Sequence, residues 1–136
     1  MYEKLTAFIP LLENDEFGRW PELCGDGSDA NPYEWPHVDY SRNVRVLEKE
    51  VYHFSDAHPE YGLNRYSDIL HVYGLDRDEE ALAGADVSAL DGVTVLAMLY
   101  SVIRAERFCD GALLDYCRSG HVVRWLKRLK EIDDGE

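Results

Sequence analysis

Between Val93 and Ile103 the chain reads VTVLAMLYSVI, with no charged side chain. A segment that is apolar nearly all round has to be enclosed, by other elements of the protein or by lipid. It falls well short of the ~18 apolar residues that a membrane span requires, so it is expected to form the centre of a protein core. Its β-branched residues (Val93, Thr94, Val95, Val102 and Ile103) would allow a strand over part of it, whereas the Leu-Ala-Met-Leu centre favours helix. Asp91 or Ser88 supplies an N-cap. The helix is expected to run over about residues 92–108, broken by Asp110-Gly111.

Other elements must cover this helix. Leu5, Phe8, Ile9 and Leu12 lie at helical spacing, and Pro10 should kink that helix or divide it into two short turns. Residues 18–40 carry three prolines and three glycines, which marks a loop. They also carry Trp20, Tyr33, Trp35 and Tyr40, so an ordered loop folded over the core is expected, with a short extended pair near Phe17–Trp20. Ser41 is suited to cap a helix with Val44, Leu47, Val51 and Phe54 inward and Glu48, Lys49 and Glu50 toward water. A short helix at 64–73 should bury Tyr66, Ile69, Leu70 and Tyr73, and a further turn of helix fits 78–83. After the central helix come ALLDYC and then HVVRWLKRLKEI, the latter with Val122, Trp125, Leu126 and Leu129 inward and Arg124, Lys127, Arg128 and Lys130 outward. The expected fold is all-α: one compact domain over residues 1–136, with five to six helices around the buried one.

Charge separates the chain into regions. The net charge is −13, with residues 1–40 at −7, residues 41–103 at −6 and residues 104–130 at +4. An acidic molecule of this kind repels nucleic acid and anionic membranes and attracts basic partners. Three cysteines (Cys24, Cys109 and Cys117) form no disulfide framework, and MYEKLTAFIP is too charged for a signal peptide, so a cytoplasmic location is expected.

Candidate chemistry gathers where the apolar run ends. Arg104, Glu106, Arg107 and Asp110 follow it directly, and two guanidiniums converging on a phosphate or carboxylate, with Glu106 as a base, would make an anion pocket. The competing reading is structural, because arginines near a helix C-terminus suit its dipole and pair with local carboxylates or carbonyls. Cys109, Cys117 and His121 are spaced C-x7-C-x3-H, which is not a standard zinc pattern, and Ser119-Gly120 interrupts the helix between the last two. The sequence contains no HExxH, GxSxG, GxxxxGK[ST] or GxGxxG motif. Neither a catalytic residue nor a metal ligand nor a cofactor is assigned.

The segment RAERFCDGALLDYCRSGHVVRWLKRLKEID at 104–133, with NPYEWPHVDYS at 31–41 and YGLNRYSDIL at 61–70, resembles a bacterial domain-of-unknown-function family of small acidic proteins. The resemblance implies a single bacterial domain, of a type found on mobile elements, and carries no activity, cofactor or substrate.

The expected function is therefore a non-enzymatic acidic binding or inhibitor protein. Its acids at Asp15, Glu16, Asp26, Asp29, Asp76, Asp78, Glu79 and Glu80 would occupy a basic site of a nucleic-acid-processing complex, in the manner of a DNA mimic of the anti-CRISPR or anti-restriction type. Its partner would be a basic protein, with no direct contact to nucleic acid or membrane. One alternative is a small-molecule or anion-binding protein, or an enzyme, centred on Arg104, Glu106, Arg107 and Asp110. A second is a homo-oligomeric structural module, since a basic helix on an acidic molecule is complementary to the other faces of its own copies.

Overall fold

Leu5, Leu12, Val95, Leu96, Leu99, Val122, Trp125 and Leu129 are completely buried, and they belong to one hydrophobic cluster that reaches from Tyr2 to Leu129. The computed structural model describes residues 1–20 and 38–135. In chain order the elements are α1 (Glu3–Thr6), α2 (Ile9–Glu13), β1 (Gly18–Arg19), β2 (Asp39–Tyr40), α3 (Arg42–Ala57), α4 (Tyr66–His71), α5 (Glu79–Ala83), α6 (Gly92–Ala105), α7 (Ala112–Arg118) and α8 (His121–Asp134). Short 3₁₀ turns at Pro59–Tyr61, Leu63–Arg65 and Val87–Ala89 fill the connections. The fold is all-α, and among the described residues the strands amount to one antiparallel pair, Gly18 opposite Tyr40 and Arg19 opposite Asp39.

The apolar run is the central helix α6. Residues Thr94–Tyr100, with Val102 and Ile103, are buried, and α4, α7 and α8 pack around it. Asp91 caps it, its carboxylate accepting from the Thr94 amide at 2.9 Å. The helix stops at Ala105, three residues earlier than the pattern suggested. There the amides of Arg107 and Phe108 turn back to carbonyls three residues behind, at 3.2 and 3.0 Å. Phe108 is thrown into solvent, 85% exposed.

Pro10 divides the first helical segment as expected, standing in the first turn of α2, where its missing N–H costs nothing. Ser41 caps α3, its hydroxyl accepting from the Val44 amide at 3.3 Å, and Asp15 holds that hydroxyl at 2.5 Å. The stripe of Val44, Leu47, Val51 and Phe54 is buried. Several side chains depart from their expected faces, Glu50 among them, which is half-buried. Tyr73 is half exposed, because α4 ends at His71 and the chain is already turning at Gly74. Glu48 is half-buried instead of facing water, because it flanks the stripe with Val44 one turn before it and Tyr52 one turn after.

The termini of the described chain meet. The Tyr2 amide donates to Asp133 Oδ2 at 2.8 Å, and its phenol shares a 3.0 Å hydrogen bond with the Tyr61 hydroxyl. Gly92, the first residue of α6, has to lack a side chain, because a Cβ there would lie 2.0 Å from the Tyr2 hydroxyl. Gly92→Ala is expected to cost about 1–3 kcal/mol of overpacking strain in chemical denaturation. Adding Tyr2→Phe, which removes the colliding oxygen, is expected to recover part of that loss.

Candidate functional site

The turn between α6 and α7 is held by a cluster of hydrogen bonds. Glu106 lies just past the end of α6 with its carboxylate directed at the start of α7. Oε1 accepts from the amides of Gly111 and Leu113 at 3.1 and 3.0 Å, Oε2 accepts from Gly111 at 3.0 Å, and the Tyr40 hydroxyl also donates to Oε1. That hydroxyl in turn accepts from the Leu114 amide at 3.0 Å. The first amides of a helix have no intrahelical acceptor, so Glu106 and Tyr40 together cap α7 and fasten β2 to it. Burial above all, and then the bond to Glu106, pushes the Tyr40 phenol far above its ordinary value. Gly111 sits in the left-handed region at φ 93°, and a Cβ on it would meet the Trp20 ring at 2.6 Å. The turn is thus closed on one side by Glu106 and on the other by Trp20.

This geometry gives Glu106 a structural role. With both oxygens committed to the protein's own donors, the carboxylate is a cap. The two arginines do not converge. Arg107 lies over the Tyr52 ring, 5.7 Å from its centroid. Arg104 is half-buried on α6, and its Nε has no hydrogen-bond partner among the described residues. Glu106, Arg107 and Asp110 do line a common hollow of about 310 Å³, together with Tyr40, Glu48 and Tyr52, and Arg104 is not part of its wall. Glu48 and Tyr52 come from α3, and the sequence offered no sign of them beyond their one-turn spacing.

The acidic residues fall into several places. Asp26 and Asp29 lie outside the described residues. Asp15 is engaged with Ser41, Asp76 receives His71 Nδ1 at 3.0 Å, and Asp78 caps α5 by accepting from the Ala81 amide at 2.7 Å. Glu16, Glu79 and Glu80 are exposed. Glu79 and Glu80 share a shallow hollow of about 310 Å³ with Asp115 of α7, Tyr116 and His121. Asp115 was not among the expected partner-binding acids, and only the packing of α7 beside α5 places it there.

The basic segment is turned largely toward carbonyl groups. Arg118 donates to the Gly18 carbonyl at 3.1 Å and Arg124 to the Ala83 carbonyl at 3.1 Å. Arg128 donates twice to the Leu90 carbonyl, at 3.1 and 3.0 Å, and His121 Nε2 lies 3.0 Å from the Ala83 carbonyl oxygen. Lys127 pairs with Glu13 at 3.0 Å. These contacts tie α8 and α7 to α2, β1, α5 and the start of α6. Cys117 is buried, which pushes its thiol up to about 12, while Cys109 is exposed on the turn. Among the described residues no three His, Cys, Asp or Glu side chains gather in a way that could hold a metal ion. No helix among them is long and apolar enough to cross a membrane.

A family model described as a family of unknown function, DUF6508, matches residues 1–135, and the chain belongs to that family. No curated protein and no solved structure matches it.

Proposed function

We propose that this DUF6508 protein is a non-enzymatic binding module whose acidic surface engages a basic site on another macromolecule. The observation that supports this reading most is how the cations are used. Arg118 and Arg124 donate to neutral carbonyls of the chain itself, and Arg128 does so while also pairing with Glu131 at 3.4 Å. Glu79 and Glu80 stay exposed, with no cation of the chain paired to either among the described residues. The hollow that Glu79, Glu80 and Asp115 form beside Tyr116 suits a lysine or arginine side chain, which would find carboxylates and an aromatic face together. A nucleic-acid-processing complex offers basic sites of this kind, and occupying one as a DNA mimic would make the protein an inhibitor. The fate of Glu106 weighs against an enzyme centred there.

The test is capture of a basic nucleic-acid-binding partner over a series of salt concentrations, with duplex DNA as competitor. Affinity is expected to fall steeply with salt, and DNA and this protein should exclude one another. Glu79→Lys with Glu80→Lys is expected to abolish binding while leaving the circular dichroism unchanged, because Asp78 keeps its cap on α5. Binding that ignores both salt and the charge reversal would refute this function.

A further inference from the structure

We infer that the hollow between α3 and the α6–α7 turn binds a small zwitterion of the α-amino-acid class, its ammonium on Glu48 and its carboxylate on Arg107. This inference concerns a different surface from the acidic hollow at α5 and does not depend on it.

The hollow holds about 310 Å³, at the lower end of the range in which small ligands are bound. Val38 and Ile103 give it an apolar lining and Tyr52 an aromatic wall. Glu106 and Tyr40 at its edge have their hydrogen bonds filled by each other and by α7. Glu48 differs from them: among the described residues no donor reaches its carboxylate. An ionised carboxylate has about four acceptor positions, and withdrawing it partly from water with no protein donor in exchange is costly. Burial first, then the negative charge of Glu106, raises the Glu48 carboxyl above its ordinary range, with Arg107 and Arg45 pulling it back. The charged form of Glu48 at neutral pH therefore works against the fold. A raised carboxyl contributes stability at low pH that is lost as pH rises through its folded-state value.

Arg107 supplies the opposite charge. Its guanidinium is held against the face of Tyr52, and it influences Glu48 through space without closing on it as an ion pair. The hollow holds the Arg107 guanidinium and three carboxylates, of which Glu106 is taken up by α7 and Asp110 is engaged as well. Glu48 and Arg107, not joined to each other as an ion pair, are left to ask for a ligand that carries both signs. A simple anion at Arg107 would face the carboxylates of Glu48, Glu106 and Asp110, and a simple amine at Glu48 would face Arg107. An ammonium and a carboxylate on one short molecule satisfy both walls at once, leaving a small side chain for Val38 and Ile103. The guanidinium suits a carboxylate because its planar donors match two oxygens.

The experiment is an NMR and thermal-shift screen of the full-length protein with each of the twenty free proteinogenic α-amino acids. At least one is expected to give a saturable shift of the amides of residues 48, 52 and 107. Its decarboxylated amine and its N-acetylated form are each expected to bind about tenfold more weakly or worse, one charge contact having been lost. Glu48→Gln is expected to melt higher than the wild type and to lose the response, and Arg107→Met to lose it as well. The inference is overturned if none of the twenty saturates, if the amine binds as tightly as its parent, or if Glu48→Gln still binds. A Glu48→Gln variant that melts lower than the wild type would make Glu48 scaffolding and would overturn it equally.

Discussion

Glu106→Ala is expected to lose about 3–5 kcal/mol of folding free energy, because it removes in one step the acceptor for two amides and a phenol. The Gly111 and Leu113 amides are part-buried at the start of α7 and have no intrahelical partner to fall back on. The Tyr40 hydroxyl would lose its acceptor while still receiving the Leu114 amide. Glu106→Gln should be much milder, about 1–2 kcal/mol. Its amide oxygen can take the place of Oε1, where three of the contacts converge, and only the charge and the Oε2 contact to Gly111 are given up. Guanidinium denaturation of the two variants measures both numbers. Equal stability of all three proteins would mean that the carboxylate is not the cap described above.

Trp125→Ala should be of similar severity, about 3–5 kcal/mol. Trp125 is completely buried on α8, with Tyr116 at 5.6 Å and His121 at 6.1 Å between ring centroids, and the cavity it would leave lies beneath α7. Trp125→Phe gives a sharper comparison. The indole Nε1–H has no hydrogen-bond partner among the described residues, so phenylalanine discards an unsatisfied donor along with some packing. Its cost should be less than half that of alanine in the same denaturation experiment. A Trp125→Ala variant as stable as the wild type would contradict the place of this side chain in the core.

The elements were legible wherever a local rule decides them. The apolar run at Val93–Ile103 had to be buried and its Leu-Ala-Met-Leu centre favoured helix over strand, Ser41 announced its cap and Asp91 was one of two candidates for the next, and Pro10 announced the break between α1 and α2. The basic helix was legible in its faces, since Trp125 and Leu129 repeat on one side and Lys127 and Arg124 on the other. What the arginines would bond was not legible, because the Gly18, Ala83 and Leu90 carbonyls lie 38 or more residues away. The candidate site was less accessible still. Tyr40 and Glu106 are 66 residues apart, so nothing near either one signals their bond. Glu48 looked like one more charge on a wet helix face, and its position at the edge of the buried stripe is settled by what α3 packs against. Asp115 joins Glu79 and Glu80 for the same reason.

Glu106 and Tyr40 make the polar turn after α6 fixed scaffolding. Native-state hydrogen exchange at the amides of Gly111, Leu113 and Leu114 tests this most directly. The opening amides of a helix ordinarily exchange quickly, having no carbonyl behind them. Bonded to Glu106 and Tyr40, these three should instead be strongly protected in the wild type, and those of Gly111 and Leu113 should become fast in Glu106→Ala. Exchange in the wild type at the rate of an open helix end would contradict this, leaving the Glu106 carboxylate uncommitted to α7.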